Sequence, residues 1–119
     1  MSTGRILALL FGIVMVLVGI AGYVPQLIKQ GNLLFGYFAV NPMHNNIHIL
    51  TGVIAMLASM RGDLARYFFQ IFGLVYAVVA LIGFTYGHLF GMPLNMADNW
   101  LHVGIAALSL LLGFFYRRF

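Results

Sequence analysis

Two short segments of this chain hold the residue types that can do chemistry. The first is His44-Asn45-Asn46-Ile47-His48 and the second is Asp98-Asn99-Trp100-Leu101-His102. In each, a histidine stands four residues after another ligating group, which puts both side chains on one face of a helix. The set His44, His48, Asp98 and His102 suits zinc, or an iron or copper ion with imidazole ligands. Alternatively, His48 and His102 can ligate a haem or a magnesium tetrapyrrole between helices. A plainer use needs no cofactor: Asn41, Asn45, Asn95 and Asn99 cap helix starts and bond across helices. Interhelical hydrogen bonds in membranes contribute only about 0.6 kcal/mol on average, yet several of them fix register. The structural use ranks first and the cofactor second. A proton path ranks last, because only Ser59, Gln70, Thr85 and Ser109 continue it into the apolar stretches.

The elements that must position these residues follow from composition. Of 119 residues, 63% are hydrophobic and 7% charged, and the mean hydropathy is +1.02. Too few polar residues remain to give every helix or strand of a soluble domain a wet face. Apolar stretches over residues 6–24, 41–60, 67–87 and 95–116 are long enough to cross the ~30 Å hydrocarbon core as helix. Asn41-Pro42 is a good helix start, and Asn95 with Asp98 resembles a capping box. The first stretch is longer than a signal-peptide core and lacks an A-x-A-like site, so it reads as a retained helix. Residues 26–40, mildly apolar and aromatic, are expected along the membrane interface.

Arg5, Arg61, Arg66, Arg117 and Arg118 fall on one side of these spans and Lys29 on the other. The positive-inside bias then puts both termini in the cytoplasm. The net charge of +4 is scattered over loop ends, which argues against nucleic-acid binding. There is no cysteine, hence no disulfide or thiolate site. The two carboxylates, Asp63 and Asp98, lie on opposite sides of the membrane, so paired-carboxylate catalysis is excluded, and no nucleophile triad or phosphate loop is present. The chain reads as non-enzymatic.

The second half echoes the first. Phe11-Gly12-Ile13-Val14 matches Phe72-Gly73-Leu74-Val75, and the same register pairs Gly22 with Gly83. Asn41 pairs with Asn95, and the two histidine segments pair with each other. The expected fold is therefore all-α: a four-transmembrane-helix bundle of two tandem hairpins, residues 6–60 and 67–116, in a parallel pseudo-twofold repeat within one membrane domain. Gly52, Ala55 and Ser59 continue one polar face, and Ala106, Ser109 and Gly113 the other, which permits close helix packing. Gly83 and Gly87 form a further small-residue pair, expected to pack within the chain. Tyr23, Tyr37, Tyr86 and Trp100 suit an interfacial belt, and His88 is expected there too.

The chain resembles the bacterial membrane proteins grouped as domain of unknown function 4383. The carrying segments are His44 to His48 followed by Leu50-Thr51-Gly52, Phe72 to Tyr76 with Gly83-Phe84, and Ala97 to His102. The resemblance implies a four-helix bacterial membrane protein and brings no activity with it. The expectation is thus a multi-pass protein of the bacterial inner membrane that acts as a structural or accessory subunit. Its partners would be lipid and other membrane proteins. The competing expectation is a metal or haem carrier.

Overall fold

The computed structural model describes residues 1–119. Four helices carry most of the chain: α1 Thr3–Ala21, α2 Pro42–Ala58, α3 Gly62–Tyr86 and α4 Met96–Phe114. Of these, α1, α3 and α4 are long and apolar enough to cross a membrane. With 17 residues, α2 is about 26 Å long at 1.5 Å per residue, the short end of the spanning range.

The helix starts are set by their caps. Ser2 Oγ accepts a hydrogen bond from Arg5 N, and Asn41 Oδ1 accepts one from His44 N at 2.9 Å. The capping box at α4 is complete: Asn95 Oδ1 accepts from Asp98 N at 2.9 Å and Asp98 Oδ2 from Asn95 N at 3.0 Å. Helix α3 begins at Gly62 rather than near residue 67. Asp63 in its first turn favours the earlier start, because a carboxylate there complements the helix dipole. At the other end Gly87 has φ +74° and closes α3 through a bond from its N to Gly83 O. Gly87 is therefore a left-handed cap, which glycine adopts without strain. The helix contact expected of the Gly83–Gly87 pair falls to Gly83 alone.

The segments between α1 and α2 and between α3 and α4 hold short antiparallel strands. Residues 28–39 form a small antiparallel sheet of three two-residue strands, β1 Ile28–Lys29, β2 Leu33–Leu34 and β3 Phe38–Ala39. After α3, β4 His88–Leu89 pairs with β5 Met92–Pro93. Phe35-Gly36 and Phe90-Gly91 each turn the chain with two successive positive φ values, as a type I′ turn requires. Each follows a leucine, so Leu34-Phe35-Gly36 matches Leu89-Phe90-Gly91 and carries the echo between the halves into the loops.

Packing is densest between α1 and α2 and between α3 and α4. Gly4, Ala8, Gly12, Met15 and Gly19 form the buried stripe of α1. Sixty-one residues on, Ala65, Phe69, Gly73, Tyr76 and Ala80 lie in the buried stripe of α3. The pattern lets backbones meet: a Cβ on Gly12 would stand 2.6 Å from Gly52 O, and one on Gly113 2.7 Å from Gln70 N. The small residues Gly52 and Ala55 of α2, its C-cap Ser59, and Ala106, Ser109 and Gly113 of α4 are all buried. The pairs meet where Phe11 packs on Phe68 and Phe69, with ring centroids 5.5 and 6.1 Å apart.

One end of the molecule is tied by polar contacts. Gly4 N donates to Arg118 O at 2.8 Å, and the Arg5 guanidinium donates to Ser59 O at 2.7 Å and Met60 O at 2.8 Å. Both chain ends and the α2–α3 turn thus lie together. The histidine segments, in the first turns of α2 and α4, lie at the opposite end.

Candidate metal-binding site

The first turns of α2 and α4 bring their histidines into one cluster. The ring centroids of His44 and His48 are 4.2 Å apart, and those of His44 and His102 are 6.1 Å apart. One ligand atom from each of His44, His48 and His102 lies within 4.8 Å of the other two. Tetrahedral coordination at Zn–N distances of about 2.0–2.1 Å places ligand nitrogens about 3.3 Å apart, so the three rings would draw together by up to about 1.5 Å on binding an ion. His44 and His102 are buried and His48 half-buried.

The nitrogens are already assigned in part. His44 Nδ1 lies 3.2 Å from Ala39 O. A carbonyl only accepts, so Nδ1 carries the hydrogen and the Nε2 lone pair stays free. This is the usual outer support of a metal-ligating histidine. His102 Nδ1 is buried without a hydrogen-bond partner, and an ion in the cluster would satisfy a ring so placed. The Tyr76 ring, 5.6 Å from that of His102, packs against it from α3.

Asp98 sits nearby and does not converge with the three histidines. It lines a 90 Å³ cavity with His44, His48 and His102, but one of its oxygens is held in the α4 capping box. The loops close this end of the cluster. Ala39 and Phe38 line the same cavity, and Asn95 Nδ2 donates to Tyr37 O at 2.8 Å, tying α4 to the first loop.

Asn45 and Asn99 are buried at 2% exposure each, and the side-chain oxygen of each lacks a conventional donor. Both face glycines: a Cβ on Gly22 would collide with Asn45 Oδ1, and one on Gly83 with Asn99 Oδ1. Each oxygen thus faces a glycine Cα–H, a weak hydrogen bond known at close helix contacts. The asparagines thus contact glycines of neighbouring helices, Gly22 and Gly83, which occupy matching positions in the two halves of the sequence.

Two apolar clefts reach the cluster from opposite sides. One, of about 260 Å³, lies between α2 and α3 and touches His44, His48 and His102. The other, of about 370 Å³, lies between α1 and α4 and touches His48 and His102. Their walls match: Phe72, Val75, Tyr76 and Val79 line the first, and Phe11, Val14, Met15 and Val18, each 61 residues earlier, line the second. Sequence reasoning missed both clefts, and the matched register was the signal that points to them.

The family model described as domain of unknown function DUF4383 matches residues 5–115, nearly the whole chain. The chain belongs to the DUF4383 family. No curated protein and no solved structure matches it significantly. In this DUF4383 protein the histidine cluster, its capping box and both clefts all lie within the matched residues. His88 is exposed and stands apart from the cluster, at the start of β4. Tyr23, Tyr37, Tyr86 and Trp100 are exposed, as an interfacial belt requires.

Proposed function

We propose that this DUF4383 protein is a four-span membrane bundle that binds one divalent transition-metal ion through His44, His48 and His102. The observation that carries the reading is the convergence of three imidazoles from two helices, with their ligand atoms within 4.8 Å of one another. Neutral imidazole suits zinc, copper, iron and nickel. A tetrapyrrole fits less well, because it needs a flat slot between two rings and the third imidazole stands in that space.

The bundle is read as two hairpins in a parallel pseudo-twofold repeat. The matched burial stripes, the Gly22–Asn45 and Gly83–Asn99 contacts, and the paired clefts support it. In this reading α2 spans with help from its capped start, both termini are cytoplasmic, and the metal lies near the outer face of the bacterial inner membrane. The role is binding rather than catalysis, since the one carboxylate beside the cluster is committed to a helix cap. A supporting part in a larger membrane complex is compatible with the same bundle. Its support is the lipid-facing apolar surface, where Leu17, Leu57, Leu74 and Leu81 are more than half exposed.

Elemental analysis after zinc loading tests the metal reading. One zinc per chain is expected for the natural sequence, with occupancy lost in His48→Ala and His102→Ala. Zinc-free protein, or zinc retained by both variants, would contradict it. Co-purification from native membranes tests for a complex.

A further inference from the structure

Resting on the metal reading, we infer that the cleft between α2 and α3 admits a long-chain carboxylate from the bilayer, whose head group takes the open position on the ion. The charge balance points there. Three neutral imidazoles leave a divalent ion's charge uncompensated, and Asp98 offers at most one negative charge from a carboxylate already engaged by Asn95 N. An uncompensated charge in an apolar setting is strongly disfavoured. Zinc held by three histidines also keeps a fourth position for an outside ligand. An anionic oxygen donor answers both needs.

The route selects the rest of the molecule. The cleft is lined by apolar side chains from α2 and α3, among them Ile54, Val75 and Val79, and reaches the three histidines. Its other polar groups are Thr51 and Tyr76, both buried. Tyr76 sits against the His102 ring, and Thr51 lies one turn beyond His48 on α2. A few polar groups among the apolar lining of a cleft suit an amphiphile with one small head. The matching cleft between α1 and α4 lacks this handle. Met15 stands where Tyr76 would be, and Ile105 where Thr51 would be. The two clefts are alike in shape and differ in chemistry, so the amphiphile is assigned to the α2–α3 side.

The test uses full-length protein loaded with cobalt(II) in nanodiscs of neutral phosphatidylcholine, titrated with dodecanoate. A saturable change in the cobalt visible bands is expected. It should weaken at least tenfold in Val79→Trp, which fills the α2–α3 cleft, and persist in Val18→Trp, which fills the other. Dodecanol and acetate at the same concentrations should leave the bands unchanged. Bound cobalt that ignores dodecanoate would overturn the inference and spare the metal reading, whereas failure to take up cobalt would overturn both. An equal response to dodecanol would remove the carboxylate, and an equal response to acetate the long chain. An unchanged response in Val79→Trp, or loss of it in Val18→Trp, would remove the cleft assignment.

Discussion

At the scale of single residues, what separates this cluster from a set of helix caps is which atoms remain free. Asn41 and Asn95 cap their helices, and Asp98 is used in the same way. His44 Nε2 and His102 Nδ1 are left over once the protein's own hydrogen bonds are made. Removing a ligand and altering the neighbouring acid should therefore have different effects. Asp98→Asn keeps a side-chain oxygen for the cap, so zinc stoichiometry should stay at one per chain. His44→Ala should weaken zinc affinity at least tenfold, read by competition with a chromogenic chelator. The glycine contacts give a second prediction at this scale. Gly83→Ala drives a methyl group into Asn99 Oδ1, and overpacking of this kind costs about 1–3 kcal/mol. Thermal unfolding in mild detergent should show a Tm several degrees lower. Gly104→Ala should leave the Tm nearly unchanged, because nothing lies within 4 Å of a Cβ there.

At the scale of elements, caps and turns decide where helices begin and how the loops fold back. Asn95→Ala removes the acceptor for Asp98 N and the donor to Tyr37 O together. Loss of an N-cap typically costs about 1 kcal/mol, and circular dichroism melting should register it as a lower Tm. Phe90 holds φ +51° in the β4–β5 turn, a conformation that asparagine tolerates better, so Phe90→Asn should raise the Tm slightly. Helix starts were legible in the sequence because Asn41-Pro42 and Asn95 with Asp98 are chemical signatures of capping. The hairpins were not, because Phe-Gly lacks the Asn-Gly or Asp-Gly pattern that marks a type I′ turn, and their strands are too short to alternate. The early start of α3 is not legible in the sequence, because Arg61-Gly62-Asp63 has the composition of a turn and Asp63 acts as a first-turn acid only once the helix is formed. The histidine pair His44 and His48 was legible from spacing within one helix. That His102 joins them while Asp98 does not depends on how two helices meet, which spacing within one helix cannot fix.

At the scale of the whole molecule, the proposed repeat pairs positions that are alike in burial and unlike in chemistry. Gly4, Gly12 and Gly19 of α1 and Ala65, Gly73 and Ala80 of α3 are small, buried residues at matching positions, and a close backbone approach is found both between α1 and α2 and between α3 and α4. Within that frame His44 is matched by Asp98, Tyr76 by Met15 and Thr51 by Ile105. In the proposed repeat, the diverged positions put Tyr76 and Thr51 in the α2–α3 cleft and Met15 and Ile105 in the α1–α4 cleft. Orientation belongs to this scale as well. The chain has no cysteine, so single cysteines report location without interference. A cysteine at Asn32 should react with a membrane-impermeant maleimide added to intact spheroplasts, and one at Gly62 only after lysis. The opposite pattern would invert the proposed topology and place the metal site on the cytoplasmic side.

The most direct test of the central claim is X-ray absorption spectroscopy on the zinc-loaded protein. It should show three imidazole nitrogens at about 2.0–2.1 Å from the metal, and no imidazole-bound zinc in His102→Ala. A zinc shell of oxygen donors with one imidazole or none would mean that the histidines of α2 and α4 do not share an ion.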